Sequence, residues 1–398
     1  MGALEQEVFR VAERLLKDFP NEAAPLLLMA NVHAVFGNTT EAKEYCRRSL
    51  ERDPRRAEAY NSLGVVALLE GSFETAADMW RKALQINPRI AGVHEPLARA
   101  LLNLGKTDEA VEVLQEGIKT SPESSDSHFL LGQAYLQLKA YEKAKQAYEK
   151  AIEIRHDYTL AYYGLATVCA RLGERDRAKE YGKKFRELKR TDVDVLREER
   201  RDPGNDLDAV RRQVVRTFIE AGGMYRAAGF LWSAEKLWLR AAVLDQANVS
   251  CRLKLAALYQ QTRREQDTIR VYQQLAKIDP QEAKYPMYLG MMLARMEKLD
   301  AAEQAFEQVV QLAPERSWGH QGLAQVYLRS DDKLAEAKTH AQTAVRLEPV
   351  ASNYYILSRA CEKTGDAAGA LAALERTVEL EPGNRKYRQE YELLKPSN

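Results

Sequence analysis

The chain has no run of 18 or more apolar residues anywhere in its 398, so no segment reads as a bilayer-spanning helix. Its start, Met1-Gly2-Ala3-Leu4-Glu5, lacks the basic-then-apolar form of a secretion signal. Cysteine is scarce. Cys46, Cys169, Cys251 and Cys361 lie far apart without a CxxC pair, which indicates neither a disulfide framework nor a zinc site. Buried free thiols in a reducing, cytoplasmic compartment are expected, or a periplasmic or envelope location if a signal or anchor has been removed. The 13 prolines and 21 glycines are too few for a disordered chain. An excess of either charge is missing too: 59 Lys and Arg face 58 Asp and Glu, and a net charge of +1 offers no global field to nucleic acid or an anionic membrane.

What is present is 45% apolar and 29% charged residues, the composition of an ordered helical chain, and a period. Prolines recur at Pro20, Pro54, Pro88 and Pro122, each 34 residues after the last. Ala42, Ala76, Ala110, Ala144 and Ala178 keep the same spacing, as do Met29, Leu63, Leu97, Leu131 and Leu165. A second block opens near Val215 with Ala221-Gly222, Tyr225, Ala234, Trp238 and Ala241, and Leu255, Leu289, Leu323 and Leu357 continue it. Its closing prolines are Pro280, Pro314, Pro349 and Pro382, and the one 35-residue step implies an inserted residue near Asp331-Asp332. Within a unit the apolar residues fall at helical spacing on both sides of a turn such as Leu69-Glu70-Gly71-Ser72, which predicts two short antiparallel helices. Alanine at the crossings lets helices approach, large residues fill the space between units, and proline cannot continue a helix.

Several segments depart from the period. Residues 1–22 resemble the second half of a hairpin whose first half is absent, as in a truncated chain. Between the five units of 23–192 and the five of 215–383, residues 193–214 carry Arg197-Glu198-Glu199-Arg200-Arg201-Asp202 and then Pro203-Gly204, with Asn205 or Asp206 expected to cap the next helix. This segment is either a hinge or a lengthened helix and turn. Residues 384–398 are expected to form a polar capping helix, which the open end of a solenoid requires.

The unit Tyr60, Leu63-Gly64, Ala67, Ala76, Trp80, Ala83, Pro88 resembles the tetratricopeptide repeat, and so does His128, Leu131-Gly132, Tyr135, Ala144, Tyr148, Ala151. The resemblance covers roughly nine-tenths of the chain and implies an all-α fold, a right-handed α-α superhelix of about ten hairpins. It also implies that the first helix of each hairpin lines a concave groove. The candidate partner-binding residues are then Leu27, Asn31, Val35, Val65, Leu69, Arg99, Phe129, Gln133, Tyr163 and Arg171 in the first block. In the second block they are Met287, Met291, Arg295, Gln325, Arg329, Tyr355, Arg359 and Lys363.

One line of this groove, at the thirteenth place of each unit, runs from apolar to basic twice. It reads Val35, Leu69, Asn103, Gln137, Arg171, and then Ala227, Gln261, Arg295, Arg329, Lys363. Either the cations meet acidic side chains of an oriented partner, or each complements its own helix dipole, an effect of about 0.3–1 kcal/mol. The apolar patch Leu27, Val35, Val65, Leu68 and Leu69 is either an interface or covered by the leading half-repeat. Two specialised patterns of the family are missing. Leu27 stands where a carboxylate clamp needs lysine, and Leu28, Ser62, Pro96, Leu130 and Gly164 replace an inward asparagine ladder.

Catalytic signatures are absent. The six histidines read as falling in different repeats, His94-Glu95 is not followed by a second histidine four places on, and no phosphate loop or nucleophile elbow occurs. The Asn-x-Ser/Thr matches at Asn38 and Asn248 are short enough to be chance. Gly222-Gly223 is read as packing. The function expected is a non-enzymatic scaffold or adaptor, without cofactor or metal, that takes an extended or helical segment of a protein partner. A substrate-recruiting arm of a larger enzyme and a self-associating module are the alternatives. Nucleic acid and membrane insertion are not expected.

Overall fold

The structure, a computed structural model, describes residues 2–201 and 205–395; of 192–201, 205–207 and 209 it gives the backbone without side chains. Twenty-two helices and no strand occur among the described residues. Helix α1 (Gly2–Asp18) precedes five hairpins: α2–α3 (Ala23–Val35, Thr39–Arg52), α4–α5 (Ala57–Leu69, Phe73–Ile86), α6–α7 (His94–Asn103, Thr107–Thr120), α8–α9 (Ser125–Gln137, Tyr141–Ile154) and α10–α11 (Thr159–Leu172, Arg175–Arg201). Five more follow: α12–α13 (Asn205–Ala227, Leu231–Leu244), α14–α15 (Val249–Gln261, Glu265–Ile278), α16–α17 (Lys284–Arg295, Leu299–Leu312), α18–α19 (Ser317–Ser330, Leu334–Leu347) and α20–α21 (Ala351–Lys363, Ala367–Leu380). Helix α22 (Arg385–Leu394) closes the chain against α21. The fold is the all-α helical solenoid that the period predicts.

Helix α11 runs through residue 201 and α12 begins at Asn205, so the expected caps Asn205 and Asp206 stand inside the first turn of α12. Pro203 and Gly204 lie outside the described residues, as do the side chains of the charged run at 197–202. The chain divides into two compact units, Met1–Asp245 and Gln246–Asn398.

Each hairpin has a residue in the left-handed region at the same place of its turn, at Gly37, Gly71, Gly105, Lys139 and Gly173 and again at Gly229, Arg263, Glu297, Asp331 and Gly365. Both series keep the 34-residue period, because a helix ended by a left-handed residue reverses direction in few residues. The inserted residue shows as a second left-handed position, Lys333 at φ 53°, in the turn before α19. The loop from α19 to α20 is one residue shorter than that from α3 to α4, which restores the register.

The small-residue places work as predicted. Ala42, Ala76, Ala110 and Ala144 are fully buried at the helix crossings. The glycine of the Leu-Gly pair makes room for a ring from the second helix: a Cβ on Gly64 would stand 2.6 Å from Trp80 Nε1, and one on Gly132 2.6 Å from Tyr148 Cδ1. Gly222 is in the same position against Trp238, whereas Gly223 has nothing within 4 Å. The prolines stand two residues beyond the second helix, as Pro54 after Arg52 and Pro280 after Ile278, where no helical N–H is needed. Among the described residues, no helix is long and apolar enough to cross a membrane.

Candidate functional site

The candidate residues sit on the first helices, and the structure sorts them by exposure. In the Met1–Asp245 unit Leu27 and Phe129 belong to the core. Leu27 packs with Ala30, Cys46 and Ala59, and Phe129 lies 4.8 Å from the Tyr158 ring. Val35, Val65, Leu68 and Leu69 are exposed, as are Arg99, Tyr163 and Arg171, while Asn31 and Gln133 are half-buried. Four members of the apolar patch therefore stay open with α1 in place, and α1 instead puts Phe9 on His33 and Phe36.

In the Gln246–Asn398 unit Leu253 and Met291 are exposed and Met287 half-buried, ahead of exposed Arg295, Gln325, Arg329, Arg359 and Lys363. Tyr355 is engaged by α22: its hydroxyl donates to Glu390 at 3.0 Å and its ring lies 4.9 Å from Tyr387.

Polar inner places are stitched between neighbouring first helices. Ser62 donates to Asn31 Oδ1 at 2.7 Å, and both Ser124 and Ser127 donate to Glu95 Oε1, at 2.6 and 2.7 Å. Asn61 accepts from Trp80 Nε1 at 2.9 Å, which satisfies the one polar atom of a fully buried ring.

The basic line reaches back to the hairpin before it. Arg295 donates to Glu265 at 2.8 Å, Arg329 to the Ala294 carbonyl at 2.6 Å, and Lys363 to Asp331 at 2.8 Å. Arg359 pairs within its own helix with Glu362 at 2.7 Å. These cations thus link successive repeats while keeping much of their surface in solvent, since the side chain of Arg295 is 64% exposed.

Sequence reasoning missed what α1 does. Helix α12 packs on both α1 and α2. Tyr225 donates to Asp18 Oδ2 at 2.6 Å, and Arg240 forms two bonds to Glu7. Phe19 packs its ring 5.4 Å from Tyr225 and 6.0 Å from Phe230. Burial and the Asp18 carboxylate push the Tyr225 phenol up to about 12. These contacts join residues more than 200 apart in sequence, and no periodic signal marks them.

The histidines are not all in different repeats. His320 on α18 and His340 on α19 belong to one hairpin and bring their Nδ1 atoms within 2.8 Å, so one ring donates and the other accepts. Burial lowers both pKa values. Elsewhere α6 starts three residues late because Gly92, at φ 74°, breaks its first turn, and a cavity of about 930 Å³ opens beside His94, Glu95 and Gly117. The four cysteines are buried and none is in a disulfide, with burial pushing Cys46 up to about 12. Asn248 caps α14 by accepting from the Cys251 N–H at 3.0 Å, which gives that residue a structural task.

A tetratricopeptide repeat model matches residues 27–89, 96–159 and 322–385, and a second model of the same description matches 289–316. Together they span just over half of the chain. Among solved structures, "Crystal structure of MamA" is 24% identical, with a TM-score of 0.40 over 42% of this chain and 97% of that one. "Crystal structure of YrrB: a TPR protein with an unusual peptide-binding site" is 20% identical, with a TM-score of 0.42 over 48% of this chain and 97% of that one. "MamA 41-end from Desulfovibrio magneticus RS-1" is 20% identical, with a TM-score of 0.38 over 48% and 98%. No curated protein matches the chain.

Proposed function

The chain belongs to the tetratricopeptide repeat family, and from that premise we propose that it is a protein-interaction scaffold, without catalytic activity of its own, whose first helices hold an extended or helical segment of a partner protein. The observation that carries this reading is the exposed apolar stretch on those helices. In one unit Val65, Leu68 and Leu69 stand open to solvent, and in the other Leu253 and Met291 do, ahead of the cations Arg295, Arg329 and Lys363. Apolar side chains left open on helices that otherwise bury theirs give a partner area to cover. The adjoining cations, already oriented by their links to Glu265 and Asp331, favour a partner segment whose acidic end follows its apolar end.

Affinity capture from the source cell, read by mass spectrometry, tests it with three baits: the unaltered chain, Val65→Lys with Met291→Lys, and Leu380→Lys as an exposed control on a second helix. The expected result is one or more proteins captured by the first and third baits and lost from the second. Equal capture by all three would retire the first-helix groove as the binding surface.

A further inference from the structure

The repeat supplies its own comparison for α13. In the other nine second helices the residues at the places of Leu239 and Val243 are all polar, as Arg47, Arg81 and Glu149 at the first and Glu51, Lys119 and Glu153 at the second. Trp232 likewise stands where the others carry a polar residue or alanine. Here the three side chains are 69%, 45% and 65% exposed for Trp232, Leu239 and Val243. Spaced by seven and four, they form one stripe down the helix. The stripe borders an indentation of about 410 Å³ between α1 and α13, floored by Val11, Phe218 and Leu237.

We propose that this groove is a second docking site, on a second helix and apart from the first-helix places, for an amphipathic helix of a partner protein with acidic flanks. Charge selects the occupant. Arg14, Lys236 and Arg240 border the groove; Arg240 engages Glu7, the one carboxylate of the lining, and Arg14 lies 3.5 Å from Asp18, so the rim keeps a net positive charge carried by Lys236. Lys236 also sits near the middle of the stripe, 5.3 Å from the Trp232 ring, where a second copy of the same surface would bring like charges together. Shape argues for a helix: a trough between two helices receives side chains repeating every three to four residues. A lipid surface would meet the exposed rim before it reached the floor.

The probes are two fluorescein-labelled helical peptides of about 18 residues that share leucines at i, i+4, i+7 and i+11 and differ in flanks of glutamate or lysine. In anisotropy titrations of the full chain, saturable binding of the acidic peptide is expected, with the lysine peptide weaker by about tenfold or more. Leu239→Glu, and independently Val243→Lys, should each weaken the acidic peptide by about tenfold with helical circular dichroism intact, while Leu380→Glu leaves it unchanged. Four results overturn the proposal: no saturable binding, equal binding of both peptides, binding untouched by both groove variants, or an effect of Leu380→Glu equal to theirs. So does a concentration-dependent dimer, or adsorption to phosphatidylserine–phosphatidylcholine vesicles, that Leu239→Glu abolishes while peptide binding persists.

Discussion

Arg240 on α13 holds Glu7 on α1 through two parallel bonds, Nε to Oε1 and Nη2 to Oε2, each 2.8 Å. The planar fork matches the carboxylate, so the pair fixes direction as well as distance. With the Tyr225–Asp18 bond at the other end of α1, it ties this helix to the sixth hairpin, while Val8, Ala12 and Leu15 are buried on the same helix.

Removing the ion pair and removing the apolar face should differ in size. Glu7→Gln should cost about 0.5–1 kcal/mol, because the Arg240 side chain is 42% exposed and water competes for it. Leu15→Ala, at a fully buried position, should cost about 2–5 kcal/mol. Urea unfolding midpoints measure both. Hydrogen exchange should show protection lost at 214–225 in Leu15→Ala if that face seats α12.

Gly222 and Gly223 are adjacent and should respond with opposite signs. Alanine at 222 drives a methyl into the Trp238 indole and should destabilise by about 1–3 kcal/mol. Alanine at 223 enters open space in a helix and should stabilise by about 0.5–1 kcal/mol. Thermal melts of the two single variants make the comparison.

Lys139 occupies a left-handed turn position, φ 60°, that glycine holds in six of the ten hairpins. Lys139→Gly should therefore raise stability by about 1 kcal/mol, since the strain of a Cβ there exceeds the entropy glycine costs the unfolded chain. A lower melting temperature would show that Lys139 makes a contribution the backbone argument leaves out.

The His320–His340 pair should make the Gln246–Asn398 unit acid-sensitive. Burial depresses both pKa values; Arg346 adds to this at His320, while Glu336 and Glu307 oppose it at His340. A depressed pKa means the unfolded chain takes protons first, so the stability present above the ordinary histidine value of about 6.5 is lost as pH falls below it. Melting temperature should drop between about pH 7 and pH 5.5, and His340→Gln should flatten that slope.

The period made the ten hairpins legible because packing at each crossing needs the same residue at the same place, as Ala76 and Ala110 do. The turns were less so, because Lys139, Arg263, Glu297 and Asp331 hold the left-handed place that glycine holds elsewhere. The docking of α1 was not, because Glu7 and Arg240 are ordinary surface residues until the fold brings them together. The basic line was visible as Arg295, Arg329 and Lys363, but its acids were not, since Glu265 and Asp331 belong to the preceding hairpin and each residue alone reads as solvated charge. The α13 stripe needed both: periodicity identifies the places that should be polar, and exposure shows that Trp232 and Val243 are not covered.

The bond from Asp18 to Tyr225 also sets a schedule for the ribosome. Every hairpin can close as soon as its own 34 residues have emerged, but the seat of α1 cannot form until synthesis has passed residue 225. At a translation rate of roughly 5–20 residues per second that interval is about 10–40 s. The first five hairpins are complete during it while the side of α1 that α12 covers remains bare, so a nascent-chain chaperone has its opportunity at Gly2–Asp18, whose Asp18 waits 207 residues for its partner.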